Sequence, residues 1–481
     1  MLFKHTLMYF LARGLPGLIS FLSIMIYTRM LTPDQYGKYA LVLAGVNLCN
    51  ALFFQWLRQG LLRFSTAHEE ADRRVFRSTL ATGFVGLTCL TAIIAIFVFL
   101  LSLQYQYFMY VLVGLVNLWL LAWFEFVQTD YRAQLKPKAF GLVTFSRTLL
   151  CLVFSLLFIW LGWGEIGLLA GLLVGTLIIL VGPTVREWGS IRPKELDKAV
   201  MKQLLSYGLP LTLTFVMAFV MQLSDRFLLG WLSGTEATGV YAVASDFANQ
   251  SLFTIMMIVN LSAFPLVVKK LEAEGVDEAQ KQLRMNLVLL LGISLPATMG
   301  VILLAEPISK MFFGSQFAGT VSVLLPLLIV GNFLMGLKQF YFDQAFQLGN
   351  KTMIQIFPVI VGAILNVVLN LIFIPLWGVT GSAYASIAAT AAAVVLSWFF
   401  GRKCFHLPIP YGDILKIILC SLFMIAALLP FLQYQGPLVI CIEITVAILV
   451  YLLGVWALNV AGVRGRLLDY LKVRKTKGLQ M

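Results

Sequence analysis

The sequence predicts an all-α polytopic membrane protein with about 14 transmembrane helices, laid out as two pseudo-symmetric six-helix bundles plus two C-terminal helices. Three observations predict it. Hydrophobic residues fill 60% of the 481 positions and charged ones 12%, against roughly a quarter charged in a soluble domain. Apolar runs of about 17 to 25 residues, long enough at 1.5 Å per residue to cross a hydrocarbon core of roughly 30 Å, follow one another along the whole chain. Four short landmarks also recur in the same order in both halves. Helices are expected because only they satisfy their own backbone in lipid, and the alternating pattern of a β-barrel is absent.

The amino terminus MLFKHTLMYF, with a single Lys and no small-residue cleavage site, runs directly into the first span, 7–28, so a retained helix is expected. Spans 39–57 and 80–101 flank a basic stretch with Arg58, Arg63, Arg73, Arg74 and Arg77; SLQYQY turns the chain into 108–124. QLKPK precedes span 140–161, and a glycine-containing turn leads to 166–183. The polar interval 184–206, with Arg186, Arg192, Lys194, Lys198 and Lys202, reads as the linker between residues 1–183 and 207–400. The second bundle comprises 207–230, 240–266, 285–305, 320–337, 355–375 and 381–400; the segment 401–481 adds spans 413–432 and 438–460 and a basic tail. Neither the six cysteines nor the three histidines show disulfide or metal-ligand spacing.

A net charge of +13 would suit nucleic acid until the basic residues are placed. Loops on one side, with both termini, hold 28 of the 35 Lys and Arg, whereas the opposite loops hold only Arg29, Lys38 and Lys310. That asymmetry is the positive-inside rule, so both termini are expected in the cytoplasm and no nucleic acid is expected as a partner. The tail from Arg464 is accounted for as an orientation signal beside anionic lipid. All loops are too short for a separate catalytic domain, so the chain is expected to work within or between its helices.

The repeat is explicit in two stretches. GKYALVLAGVN (Gly37 to Asn47) is echoed by GVYAVASDFAN (Gly239 to Asn249), each preceded by a span carrying GLP with Pro16 or Pro210. Later, QLKPK is echoed by QLGNK, and Gly164 and Gly167 by Gly378 and Gly381. Parallel repeats are a transporter signature, because two similar bundles can rock about an axis along the membrane normal. The two prolines are expected to bend or break their helices.

TRMLTPDQYGKYAL from Thr28, SDRFLLGWLSGTEATGVYAVA from Ser224 and LNVVLNLIFIPLWGVTGSAYAS from Leu365 resemble the Wzx-type polysaccharide and O-antigen flippases. Those belong to the polysaccharide transporter family of the MOP (MATE-like) exporter superfamily. The resemblance covers most of the chain in layout and specifies the fold better than the cargo. It implies a multi-pass protein of the bacterial inner membrane, not an enzyme. The implied substrate is an oligosaccharide on a polyprenyl pyrophosphate, moved by alternating access through a cationic central cavity. It admits H+ or Na+ as coupling ion and polysaccharide assembly proteins as further partners, and implies no cofactor.

Candidate residues follow from the cost of polar groups in lipid. An Arg within a span costs about 2.5–3.5 kcal/mol, so it faces a wet cavity or a partner, or snorkels to headgroups. Arg13 and Arg147, near the basic ends of their spans, are candidates to bind phosphate, and Arg226 joins them from the other end of span 7. Arg58 and Lys416 read as interface anchors. Asp225, Asp246 and Glu443 are candidates for ion coupling or ion pairing, Asp246 either titrating with a gradient or pairing with Arg226. Asn366 and Asn370 share a helical face one turn apart, placed either to bind sugar hydroxyls or to bond helix to helix. Two rival readings remain. A multidrug or cation antiporter of the same superfamily would have an acidic lumen, and a polytopic ligase or polymerase would need catalytic side chains in sizeable loops.

Overall fold

The computed structural model describes residues 2–65, 70–102, 107–189, 196–434 and 436–465, with side chains within 14–65, 74–100, 107–189, 196–434, 436 and 438–465. Among these, every regular element is helical. In chain order they are α1 (Leu2–Met30), α2 (Pro33–Phe64), α3 (Glu70–Ser102), α4 (Phe108–Ala133), α5 (Pro137–Trp160), α6 (Gly164–Trp188) and α7 (Lys198–Leu232). Then come α8 (Gly234–Glu274), α9 (Val276–Leu303), α10 (Ser315–Leu348), α11 (356–377), α12 (379–401), α13 (Tyr411–Leu428) and α14 (Pro437–Ala457). Among the described residues, twelve helical stretches are long and apolar enough to cross a membrane. The longest of these is α11 and α12 together, folded at Gly378 (φ 58°, ψ −133°), and α1 contributes the shorter apolar stretch Gly14–Met30. The chain is thus a multi-pass membrane protein with a helix for every expected span.

Two compact units are present, residues 1–243 with 359–389, and 244–358 with 390–481. In the first, Phe84, Trp123, Phe126 and Trp188 form an aromatic core in which Trp123 stacks on Phe126 with centroids 5.2 Å apart. Small residues bring α5 and α6 together: a Cβ on Gly175 would lie 2.5 Å from the Cys151 amide nitrogen, so the helices approach at backbone distance. In the second unit, the Tyr451 hydroxyl on α14 donates to the Gly292 carbonyl of α9 at 2.7 Å.

The twin landmarks occupy matching positions. Gly164 and Gly378 both have left-handed φ, 53° and 58°, where a side chain would be strained. Three residues on, Gly167 and Gly381 each admit the backbone of the preceding helix, at Phe158 and Phe373. Gly37 and Gly239 go further and meet each other within the first unit. A Cβ on Gly37 would sit in the Thr235 carbonyl, one on Gly239 in the Pro33 carbonyl, and both carbonyls belong to the residue four positions before the other glycine. The start of α2 is fixed there by a capping box in which Gln35 N–H donates to Thr32 Oγ1 at 3.3 Å and Thr32 N–H to Gln35 Oε1 at 3.1 Å.

Of the bends or breaks expected at Pro16 and Pro210, no break is found, since α1 and α7 run through both as helix. Neighbouring residues can re-satisfy the one backbone bond a proline frees, so the helix continues. Among the described residues, π turns are found at Asn50–Phe54 in α2, Asn249–Phe253 in α8 and Lys338–Phe342 in α10. The first two lie within one turn of the paired Asn47 and Asn249. Such turns concentrate at functional sites.

Candidate functional site

The helices overrun the apolar spans, and the polar sites lie in the overrun. α4 was expected to end near 124 but continues to Ala133, carrying Glu125, Gln128, Asp130 and Arg132 inward. Together with the end of α2 and the start of α5 it borders an open cavity of about 330 Å³ lined by Gln55, Arg58, Gln59, Glu125, Gln128 and Arg132, among others. Arg58 is 9% exposed and ion-pairs with Glu125 through Nη1 and Oε2. This corrects its assignment as an interface anchor: the guanidinium points into protein, where the extended α4 supplies a carboxylate. Asn50, at the start of the α2 π turn, donates from Nδ2 to the same Oε2 at 2.7 Å. Arg132 faces the cavity and has no ionic partner among the described residues. The lining thus places two guanidiniums, of Arg58 and Arg132, beside the one carboxylate of Glu125.

Above the cavity the polar track continues along α4 and α5. Gln128 Nε2 donates to Thr144 Oγ1 at 2.6 Å, and one turn later Arg147, half-buried, donates from Nε to Thr176 Oγ1 at 2.9 Å. Its guanidinium lies over the Phe124 ring, 4.4 Å from the centroid, a cation–π contact. Beside the cavity, Arg77 Nη2 donates to the buried Asp130 Oδ2 at 2.9 Å and Nη1 to the Glu187 carbonyl at 3.2 Å, tying α3, α4 and α6 at their basic ends. The Arg13 side chain lies outside the described residues.

A second polar centre in the same unit gathers Asp225, Asn366 and Asn370. Asp225, 3% exposed in α7, accepts from the Tyr241 hydroxyl at 2.5 Å, the Ser386 hydroxyl at 2.5 Å and Asn370 Nδ2 at 2.8 Å. Asn370 Oδ1 accepts from the Ser382 hydroxyl at 2.7 Å, and Asn366 Oδ1 from Ser224 at 2.7 Å. Four helices, α7, α8, α11 and α12, are joined. The two asparagines therefore bond helix to helix, and the carboxylate is held by neutral donors. Arg226, next in sequence, is 7% exposed.

In the second unit, Asp246 is half-buried on α8 and Glu443 is 1% exposed on α14, with Oε2 lacking a hydrogen-bond partner among the described residues. Sequence reasoning missed a site here. Lys338 was expected in a basic loop, but α10 runs on to Leu348 and Lys338 is 3% exposed, its Nζ 2.7 Å from Asp343 Oδ2. The pair spans the π turn closed by Asp343 N–H donating to the Lys338 carbonyl at 2.8 Å. In an α-helix, residues five apart point in different directions at 3.6 residues per turn; the wider π turn brings them onto one face. Ser397 donates to Asp343 Oδ1 at 2.8 Å and Gln355 Nε2 to Oδ2 at 3.2 Å.

Known proteins share this architecture. A family model described as "Polysaccharide biosynthesis protein" matches residues 26–322. A candidate O-antigen transporter of Shigella flexneri is 22% identical over 414 residues, covering 81% of this chain and 96% of that protein. Among solved structures, the lipid II flippase MurJ in an inward closed conformation superposes with a TM-score of 0.79 at 15% identity, over 94% of this chain and 99% of that one. An inward-facing multidrug resistance MATE family transporter of the MOP superfamily gives 0.61 at 15% identity, over 82% and 97%. At these identities the structural likenesses establish the fold.

Proposed function

Because the chain belongs to the polysaccharide biosynthesis protein family and has the fold of MOP superfamily transporters, we propose that it is a Wzx-type flippase. Its cargo is an oligosaccharide unit of O-antigen or a related surface polysaccharide, carried on a polyprenyl pyrophosphate across the bacterial inner membrane. The observation that carries this reading is the cavity at the basic end of the first bundle, where Arg58 and Arg132 outnumber Glu125. With both termini cytoplasmic, that end faces the leaflet on which the substrate is made. Guanidinium offers paired donors that match phosphate oxygens, so the cavity loads the anionic headgroup while the polyprenyl tail stays in lipid. Arg147, one step further along α5, is the next cation a headgroup meets.

Residues 1–183 and 207–400 are the two halves that exchange access, joined by 184–206. Asp225 with its amide and hydroxyl neighbours is the site for a coupling cation, H+ or Na+, because a lone carboxylate matches a single positive charge. Two arginines beside a single carboxylate support this reading over the antiporter, whose lumen is expected to be acidic. The assay is translocation of a polyprenyl-pyrophosphate oligosaccharide in proteoliposomes, read by accessibility of the sugar to an external lectin. Arg58→Gln with Arg132→Gln should abolish transport while the protein remains folded; full transport by that double variant would refute the reading.

A further inference from the structure

Resting on the reading of the cavity as a phosphate site, we propose that Glu125 is its built-in competitor. An incoming diphosphate takes Arg58 from Glu125, and the released carboxylate lets α2 repack at its π turn.

Three observations converge on Glu125. Its Oε2 is shared between Asn50, the first residue of the turn Asn50–Phe54, and Arg58, four residues past its end, so one carboxylate clamps α2 across its irregular segment. Its side chain is 39% exposed toward the cavity while that of Arg58 is 10% exposed, so the acid is the partner free to leave. Asn50 is 4% exposed, and its Oδ1 has no hydrogen-bond partner among the described residues. Once Glu125 departs, both ends of that amide are unsatisfied unless the turn rearranges. Buried amides left unpaired are costly, so occupancy of the cavity and the geometry of α2 are thermodynamically linked.

The competition also sets specificity. A neutral sugar cannot replace a carboxylate on Arg58 and gains nothing there. A monophosphate engages the unpaired Arg132 alone. A diphosphate has enough oxygens to bind Arg132 and displace Glu125 together, so the pair selects for two linked phosphates.

The test uses the full-length protein in nanodiscs with farnesyl diphosphate and farnesyl monophosphate as probes, reading affinity by calorimetry and α2 by amide hydrogen exchange over residues 50–55. Glu125→Gln should bind the monophosphate about three- to ten-fold more tightly and lose most of the preference for diphosphate. Exchange at 50–55 should rise on adding diphosphate to wild type and be raised beforehand in the variant. Glu125→Asp, which keeps the charge but draws it back from Arg58, guards against a folding defect and should shift in the same direction by less. Weaker or unchanged binding in both variants, or ligand-insensitive exchange at 50–55, overturns the competitor role. Wild-type binding by Arg58→Gln and Arg132→Gln would instead overturn the phosphate site itself.

Discussion

Replacing Gly239 by Ala puts a methyl group where the Pro33 carbonyl stands, and the sign of its effect separates tertiary packing from helix propensity. Inside a helix, Gly to Ala ordinarily stabilises by up to about 1 kcal/mol. Here the two helix starts would have to separate by more than about 1 Å to restore van der Waals spacing. The obstacle is backbone of a capped helix, which cannot swing aside as a side chain does. Overpacking costs about 1–3 kcal/mol, and a rigid neighbour places this site near the upper end, so the net expectation is a loss of about 2 kcal/mol. Gly45 on α2 is the internal control, since nothing lies within 4 Å of its Cβ and only the propensity gain remains. The two variants should therefore differ by about 3 kcal/mol, the difference between these estimates. Thermal unfolding in detergent, followed by a thiol-reactive dye, ranks them. Gly37→Ala should behave like Gly239→Ala, and the double variant should fall short of the sum because both glycines guard one crossing. If Gly239→Ala melts at or above Gly45→Ala, the crossing of the two repeats is wrong.

Asp343→Asn should destabilise by about 3–5 kcal/mol, because it strands Lys338 in a buried site; Lys338→Met with Asp343→Leu should cost less than that single change, and a double-mutant cycle measures the coupling. Asp225→Asn offers one acceptor oxygen to three converging donors and should cost about 1–3 kcal/mol. If Asp225 binds a cation, Na+ or protons should stabilise wild type by about 2.7 kcal/mol at a hundred times the dissociation constant and leave the variant unmoved; equal stabilisation of both removes Asp225 as the ion site. Arg147→Lys should retain only part of translocation and Arg147→Ala still less, since an ammonium cannot reproduce the planar contact with Phe124 together with the bond to Thr176; a fully active Lys variant would show that charge alone suffices.

The sequence by itself determined how many helices form, which ends are basic and where the two repeats match, because each is a property of consecutive residues read against the thickness of a bilayer. It also marked Asn366 and Asn370 as one face, but their partner Asp225 lies some 145 residues away, and only packing joins them. Glu125, Asp130, Lys338 and Asp343 were misread as loop residues for a single reason: hydropathy ends a helix at the first charges, whereas a real helix continues wherever a neighbour neutralises them. Arg58 was likewise assigned to lipid because its counter-charge sits on another helix. Tertiary structure alone decided which charges pair, where α2, α8 and α10 widen into π turns, and that Gly37 meets Gly239. Those outcomes depend on which side chains and carbonyls different helices bring within reach of one another, and no stretch of consecutive residues encodes that distance.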